Sequence, residues 1–322
     1  MHSPDPTVTA NIYSARHLDE IVRGVVVPLR HGLAERGMAD RWSLWTMRYL
    51  RRGPHLKLRL HGPEQEAGAV RELLEEAAEA HFASLSPEGD GPMKHSKAPA
   101  GAVDLEDEGE GERPDRTLLW TTYRRSAVSF GPDTQLLADD RYVSLFTACL
   151  AAAGEIAVTA IEPEISEAGR LKALRGGLAA GVSGLPLTET ERDLYLEYHR
   201  DWLLRWMMPH AERDAEMLAK FDLRADASGA AAAEIRRIAS EGPAVGAFAR
   251  WRDALAELAA YVARFRGDPA HHVDPFTADP VFPALFKVFH SLANQLGVDM
   301  LNESMLHHIV LRALAGAAVA GA

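Results

Sequence analysis

The sequence predicts an α+β fold: an N-terminal mixed sheet with a hairpin and flanking helices, followed by a largely helical C-terminal half. Three observations carry this. Two extended runs, residues 42–50 and 54–61, are joined by Arg51-Arg52-Gly53, a hairpin signature. In the second run Leu56, Leu58 and Leu60 alternate with His55, Lys57, Arg59 and His61, which is the period of two of a strand. From Asp139 onward, apolar residues recur at helical spacing almost without interruption.

Taken in order, residues 7–14 read as a strand and 15–36 as an amphipathic helix. The hairpin follows, then a helix over 64–83. Strand composition returns at 116–124, and the short stretch 126–132 continues the sheet. Between them, 86–113 is rich in Pro, Gly, Ser and acids, so it reads as a long loop rather than a domain linker. Helices are expected over 141–162, 189–221, 230–240, 245–265, 280–296 and 300–317. The chain thus reads as one domain, 1–322, with a sheet-containing part to 135 and a helical part from 136. No repeat of solenoid period is present.

Composition narrows the function classes. Hydrophobic residues make up 47% and charged residues 25%, ordinary for a globular protein. The apolar stretches 174–187 and 311–322 fall short of the roughly 20 residues of a membrane span, and the N-terminus has no signal-peptide pattern. One cysteine cannot form an internal disulfide, which fits a reducing, cytoplasmic location. The net charge of −11 includes six acids within 104–112, a run expected to be solvated. With no dominant basic surface, neither nucleic acid nor a membrane is an expected partner.

Several chemistries are set aside on motif grounds. There is no Gly-rich phosphate loop, no nucleophile elbow and no His-Glu-x-x-His. Fourteen histidines invite a metal reading, but His307 and His308 are adjacent and diverge on a helix, while His271 and His272 sit in a Pro-flanked turn. No metal and no cofactor is expected. Cys149, among alanines on a helix, reads as a small buried residue rather than a nucleophile.

Two places are chemically suggestive. On the 54–61 strand the basic face is ordinarily solvated, yet its donors stand in a row about 6.6 Å apart, suited to a carboxylate or a charge-gaining carbonyl. On the 280–296 helix, His290 and Asn294 are four apart and share a face. A lone helical histidine is ordinarily structural; the pairing with Asn294 and Gln295 adds to its functional weight.

Three segments resemble a known family. Arg48-Tyr49 followed by Gly53-Pro54-His55-Leu56-Lys57-Leu58-Arg59 resembles the opening of the C-terminal domain of class I lantibiotic dehydratases, a domain that also occurs as stand-alone thiopeptide biosynthesis proteins. Its usual pattern there is Arg-Tyr, a turn, then His-x-Arg-x-Arg. Residues Tyr123-Arg124-Arg125-Ser126-Ala127-Val128-Ser129-Phe130-Gly131 resemble its second motif, Tyr-x-Pro-Glu-x-x-Arg-Tyr-Gly. Residues His290-Ser291-Leu292-Ala293-Asn294-Gln295-Leu296 resemble its third, His-Met-x-x-Asn-Arg-Leu. The order is the family's, and the three span most of the chain.

The departures direct the functional reading. Glutamate-eliminating members use the Glu and Arg of the second motif; here those positions hold Ser126 and Ser129. Lys57 replaces the first Arg of His-x-Arg-x-Arg, and Gln295 replaces the Arg of the third motif. Lysine cannot hold a carboxylate with the two parallel hydrogen bonds that arginine makes. The resemblance therefore implies the branch that builds the pyridine ring of thiopeptides from two dehydroalanines, without a cofactor. Lys57 and Arg59 would stabilise negative charge, His290 would shuttle protons, and Tyr123, Ser126 and Gln295 would hydrogen-bond the reacting groups. Arg48, His55, Ser129, Tyr198, His199 and Asn294 would contact substrate. The implied partner is a precursor peptide with its leader, together with other enzymes of the same pathway. A stand-alone glutamate eliminase and a leader-binding scaffold remain the alternatives.

Overall fold

The structure is a computed structural model, and it describes residues 5–14, 18–49, 53–85, 115–123, 125, 133–207, 211–242, 246–268 and 277–320. The chain forms two compact units: residues 1–130 with 137–165, and residues 131–136 with 166–322. The expected loop 86–113, with its acidic run, and the stretch 126–132 lie outside the described residues.

The first unit is built on a four-stranded sheet in the order β2-β3-β1-β4. The strands are β1 (Val8–Tyr13), β2 (Ser43–Tyr49), β3 (His55–His61) and β4 (Thr117–Trp120). Every pairing among them is antiparallel, so the sheet is not mixed. Its alternation is the one read from sequence. Leu56, Leu58 and Leu60 stand opposite Ile12, Ala10 and Val8, and all six are fully buried. The expected first helix forms as α1 (Leu18–Ile21), a π turn (Val22–Val26) and α2 (Val27–Glu35). The helix after the hairpin is α3 (Ala67–Ser84).

The helix α4 (Asp140–Ile161) belongs to this first unit. Asp139 caps it, its carboxylate accepting from the backbone N–H of Arg141 and Tyr142 at 2.8 and 3.3 Å. Among the described residues, α4 is the one helix long and apolar enough to cross a membrane, a possibility that the stretches weighed from sequence did not include. Most of it is buried within the fold, as in a core helix. Cys149 is buried on it, as expected.

The second unit is helical. Its first helix, α5 (Glu167–Gly184), was not among the expected helices. The reason is packing. A Cβ on Gly177 would stand 2.5 Å from Leu292, and one on Gly181 would stand 2.7 Å from the Phe289 ring. Glycine lets the neighbouring helix approach, and it dilutes the apolar period that betrays a helix. The Trp251 indole donates to the Gly177 carbonyl at 2.8 Å and fastens this close approach. The span 189–221 is not one helix but two, α6 (Glu189–Met207) and α7 (Ala211–Asp226). Pro209 falls between them in sequence, a stop signal in its own right. Then come α8 (Gly229–Glu241), α9 (Ala247–Val262), α10 (Val281–Leu296) and α11 (Met300–Ala320).

The join between α10 and α11 positions the site. Gly297 ends α10 in the left-handed region at φ 71°, where glycine carries no Cβ penalty. Gly297 and Val298 donate back to the carbonyls of Asn294 and Ala293, a Schellman ending. Asp299 then starts α11, its carboxylate accepting from the Asn302 N–H at 2.9 Å. So tight a turn brings the first turns of α11 back beside the last turns of α10.

Candidate active site

Fourteen of the sixteen residues of α10 are buried; the two that are not are His290 and Asn294. The helix thus presents a single partly open edge, and it carries the pair singled out from sequence. Behind that edge lies Glu303 of α11, whose side chain is fully buried. One carboxylate oxygen, Oε2, sits 2.8 Å from His290 Nδ1, and the other, Oε1, sits 2.8 Å from His199 Nε2 of α6. Tyr195, one turn before His199, places its hydroxyl 3.2 Å from His199 Nδ1.

These contacts fix the protons. An ionised carboxylate only accepts, so His290 donates from Nδ1 and His199 from Nε2. His199 is then left with a lone pair on Nδ1, which accepts from the Tyr195 hydroxyl. The row runs Tyr195, His199, Glu303, His290, and only the last member reaches the open edge. Its side chain is 17% exposed and its ring stacks on Phe286, with centroids 5.8 Å apart.

Electrostatics agree with this assignment. Burial alone would push the Glu303 carboxyl up, but the His290 charge and hydrogen bonds from both histidines hold it far below the usual carboxylate range. Burial would lower His290, and the charge and hydrogen bond of Glu303 outweigh it, so the imidazole sits above its ordinary value. His199 is lowered, chiefly by burial. Burial likewise raises the Tyr195 hydroxyl well above its ordinary value. The arrangement is a buried carboxylate facing one partly accessible imidazole, with two buried groups behind it whose charged forms burial disfavours.

His307 also enters this cluster. Its Nδ1 lies 2.9 Å from the Glu303 carbonyl, and its ring stacks on His199 with centroids 3.6 Å apart. Its Nε2 has no hydrogen-bond partner among the described residues. His199, Glu303 and His307 bring three potential metal-ligand atoms within 4.8 Å of one another, a grouping that spacing in sequence did not reveal. Yet an imidazole coordinates through a lone pair in its ring plane. The two ring planes are inclined by only 18° and lie one ring thickness apart, so no nearby point falls in both. The trio does not converge on one ion in this arrangement. His308, as expected, diverges: it faces Asp222 at 2.9 Å and Arg200 at 3.1 Å.

The other residues expected at the site are distributed as follows. Tyr198 is half-buried against Phe282 and Phe286. Gln295 is fully buried, and five residues past His290 it points to a different side of α10. Ser126 and Ser129 lie outside the described residues. Tyr123 lies just past β4 in the first unit and is half-buried. Three members of the basic strand face are not solvated: His55, Lys57 and Arg59 are 1%, 4% and 1% exposed. Lys57 places its ammonium 4.0 Å from the centre of the Tyr49 ring. One guanidinium nitrogen of Arg59 donates to the carbonyls of Ala10 and Leu58, both at 3.0 Å, and to Asn11 Oδ1 at 3.3 Å. His55 stacks on Tyr13 with centroids 4.5 Å apart. Arg48 points to the opposite face, beside Leu56, and is ion-paired with buried Asp19 at 2.5 Å.

Sequence reasoning missed Glu303 and Tyr195, which no motif marks. It also missed Lys287, one turn before His290, buried and pushed down to about 7 by that burial. The i, i+4 spacing of Tyr195 and His199 was the available signal.

Comparison with known proteins follows this geometry. A family model described as the lantibiotic biosynthesis dehydratase C-terminus matches residues 8–314. The fold is similar to that of TbtD, described as the pyridine synthase from thiomuracin biosynthesis, with a TM-score of 0.63 and 16% identity over 96% of this chain and 97% of that one. It is similar to TsrL, with a TM-score of 0.57 and 12% identity over 96% and 94%. It also resembles part of MibB, the tRNA-dependent lantibiotic dehydratase of Microbispora sp. 107891, at a TM-score of 0.52 and 15% identity, covering 98% of this chain and 28% of that one. No curated protein sequence matches significantly. With a match running nearly from end to end, the chain belongs to the lantibiotic dehydratase C-terminal family.

Proposed function

We propose that this protein is a thiopeptide pyridine synthase. It joins two dehydroalanines of one precursor peptide in a formal four-plus-two cycloaddition. Water is then lost, and the leader peptide leaves as an amide as the ring becomes aromatic. The observation that carries the reading is the partly open imidazole of the cluster, His290, backed by the buried Glu303 carboxylate. Forming the azadiene moves a proton off an amide nitrogen; expelling water and the leader amide each requires a proton delivered. An imidazole poised between acid and base serves both directions, typically a factor of about 10²–10⁴ for a positioned group.

The motif departures support the synthase over the eliminase. Ser126 and Ser129 stand where a glutamate eliminase keeps its Glu and Arg. Asn294, on the same open edge as His290, is assigned to orient an amide of the substrate. Ser126, Ser129 and Tyr123 are assigned hydrogen-bonding roles toward the peptide. Lys57 and Arg59 are assigned to hold the sheet unit together, because Arg59 is committed to backbone carbonyls and Lys57 to an aromatic face.

Mass spectrometry tests the reading directly. The purified protein is mixed with a leader-bearing peptide containing azoles and two dehydroalanines. Loss of water with release of an intact leader amide is the expected result, and it should vanish in His290→Ala. Release of glutamate from a glutamylated peptide would instead make the protein an eliminase. Binding of the peptide without any mass change would make it a scaffold.

A further inference from the structure

We infer that Arg200 is a positioning residue for the site: it seats α6 on α11 so that His199 meets the Glu303 carboxylate. This rests on the reading of the Glu303 cluster as the site of the reaction. Two ladders of contacts join these helices side by side. In the front ladder His199 meets Glu303 at 2.8 Å and stacks on His307, one turn further along α11. In the rear ladder every member lies one residue later. The Arg200 carbonyl accepts from the Ser304 hydroxyl at 3.1 Å, and one guanidinium nitrogen donates to His308 Nδ1, also at 3.1 Å.

The front ladder does not by itself fix the register of the two helices. Flat rings slide over one another at little cost, and the Glu303 carboxylate can follow His199 on a flexible stem. The rear ladder does fix it. Its first rung ends on the main chain of α6, and the serine hydroxyl reaches that carbonyl through a single side-chain torsion. Its second rung is directional, because a guanidinium carries only donors. His308 must therefore accept through Nδ1 and carry its proton on Nε2, which it donates to Asp222 of α7 at 2.9 Å. Its neighbour His307 is the opposite tautomer, with Nδ1 donating to the Glu303 carbonyl at 2.9 Å. Burial disfavours charge on both imidazoles, which keeps these proton positions in place.

Arg200 is itself held. Its side chain is 10% exposed, and its Nε donates to Asp201 at 2.6 Å. At the other end of the row Asp222 faces Arg312 at 3.6 Å. Arg200 and His308 thus lie between two carboxylates, and the row ties α6 and α7 to the same turn of α11. Without the guanidinium, a buried imidazole acceptor loses its donor, and the Ser304 rung alone is left to hold the register.

The test is NMR of the full chain with ¹³C,¹⁵N-labelled histidine, without substrate, the signals of His199, His307 and His308 being identified by their absence in the three single His→Asn variants. In wild type the ring signals of His199 and His307 should lie upfield, each in the ring current of the other, and His308 should be the Nε2–H tautomer. In Arg200→Met the His199 and His307 signals should move downfield. In Arg200→Lys, which keeps a donor toward His308, they should stay nearer wild type. A loss of stability alone would change the folded fraction and leave the folded signals where they are. Turnover of the dehydroalanine peptide per folded molecule should fall by about 10–100-fold in Arg200→Met, in kcat rather than KM. Ring signals unmoved by Arg200→Met would overturn the inference. So would an Nδ1–H tautomer of His308 in wild type, or moved signals with full turnover. If Arg200→Met does not fold, Ser304→Ala removes the other rung and decides by the same shift. A wild-type protein that leaves the peptide unchanged would remove the synthase reading, and the ring signals would then decide alone whether Arg200 seats α6.

Discussion

The basic face of β3 and the open edge of α10 both present imidazole and polar groups at regular spacing, yet they are opposite in design. In the sheet, the cations Lys57 and Arg59 are buried against neutral partners: an aromatic face, carbonyls and an amide. On α10, the partner of His290 is an anion delivered from another helix, and the imidazole side chain is 17% exposed. Polarity inside a protein therefore does not by itself mark chemistry. A group half held and half open does.

The contrast can be broken most forcefully at its ends. His290→Ala should lower turnover of a bis-dehydroalanine peptide by about 10²–10⁴-fold, far more than its loss of folded protein explains. Arg59→Ala should do the reverse, destabilising the first unit by roughly 2–4 kcal/mol, because several buried acceptors lose their donor at once. Urea unfolding read alongside turnover separates the two. If Arg59→Ala slows turnover by more than its folded fraction explains, the charge-stabilising role suggested by the sequence is restored to it.

Smaller effects sharpen the same comparison within α10. Lys287→Met should stabilise the second unit by roughly 2 kcal/mol at pH 7, since a buried ammonium gives way to an apolar chain of similar length. The sign follows from linkage. Burial depresses Lys287 from 10.5 to about 7, so the unfolded chain binds more protons between those values. Wild-type stability should therefore rise with pH across that window, and the advantage of Lys287→Met should shrink to nothing at its top. His290 has the opposite sign. Its folded value is raised above 6.5, so its contribution is complete below about pH 6.5 and lost as pH climbs through the raised value. The difference in melting temperature between wild type and His290→Asn should narrow accordingly. Least of all, Asn294→Ala should change stability by about 0.5 kcal/mol or less, its effect appearing in the KM for the peptide.

Much of this was legible before any coordinates. Alternation put the leucines of β3 on one face, and the i, i+4 rule put His290 and Asn294 on one edge. The same alternation sets Arg48 against Leu56 on the leucine face, but only the register of the two strands reveals it. Glu303 was illegible for a different reason. It lies in the plain stretch Asn302-Glu303-Ser304, and its importance comes from a turn that folds α11 back onto α10. The helix α5 was hidden because its glycines erase the apolar stripe in order to let other side chains in. Local pattern reports which face a residue takes. What waits on the other side is a matter of packing.

Gly181 carries that point furthest. It touches neither His290 nor Glu303, but the absence of its side chain is what lets Phe289, the immediate neighbour of His290, settle where it does. A methyl group added there would act as a shim under α10, displacing an imidazole it never meets. The reach between His290 and Glu303 is thus gauged by an empty place on a third helix, and a search for variants with altered rate would do well to begin with that gap rather than with the residues it sets apart.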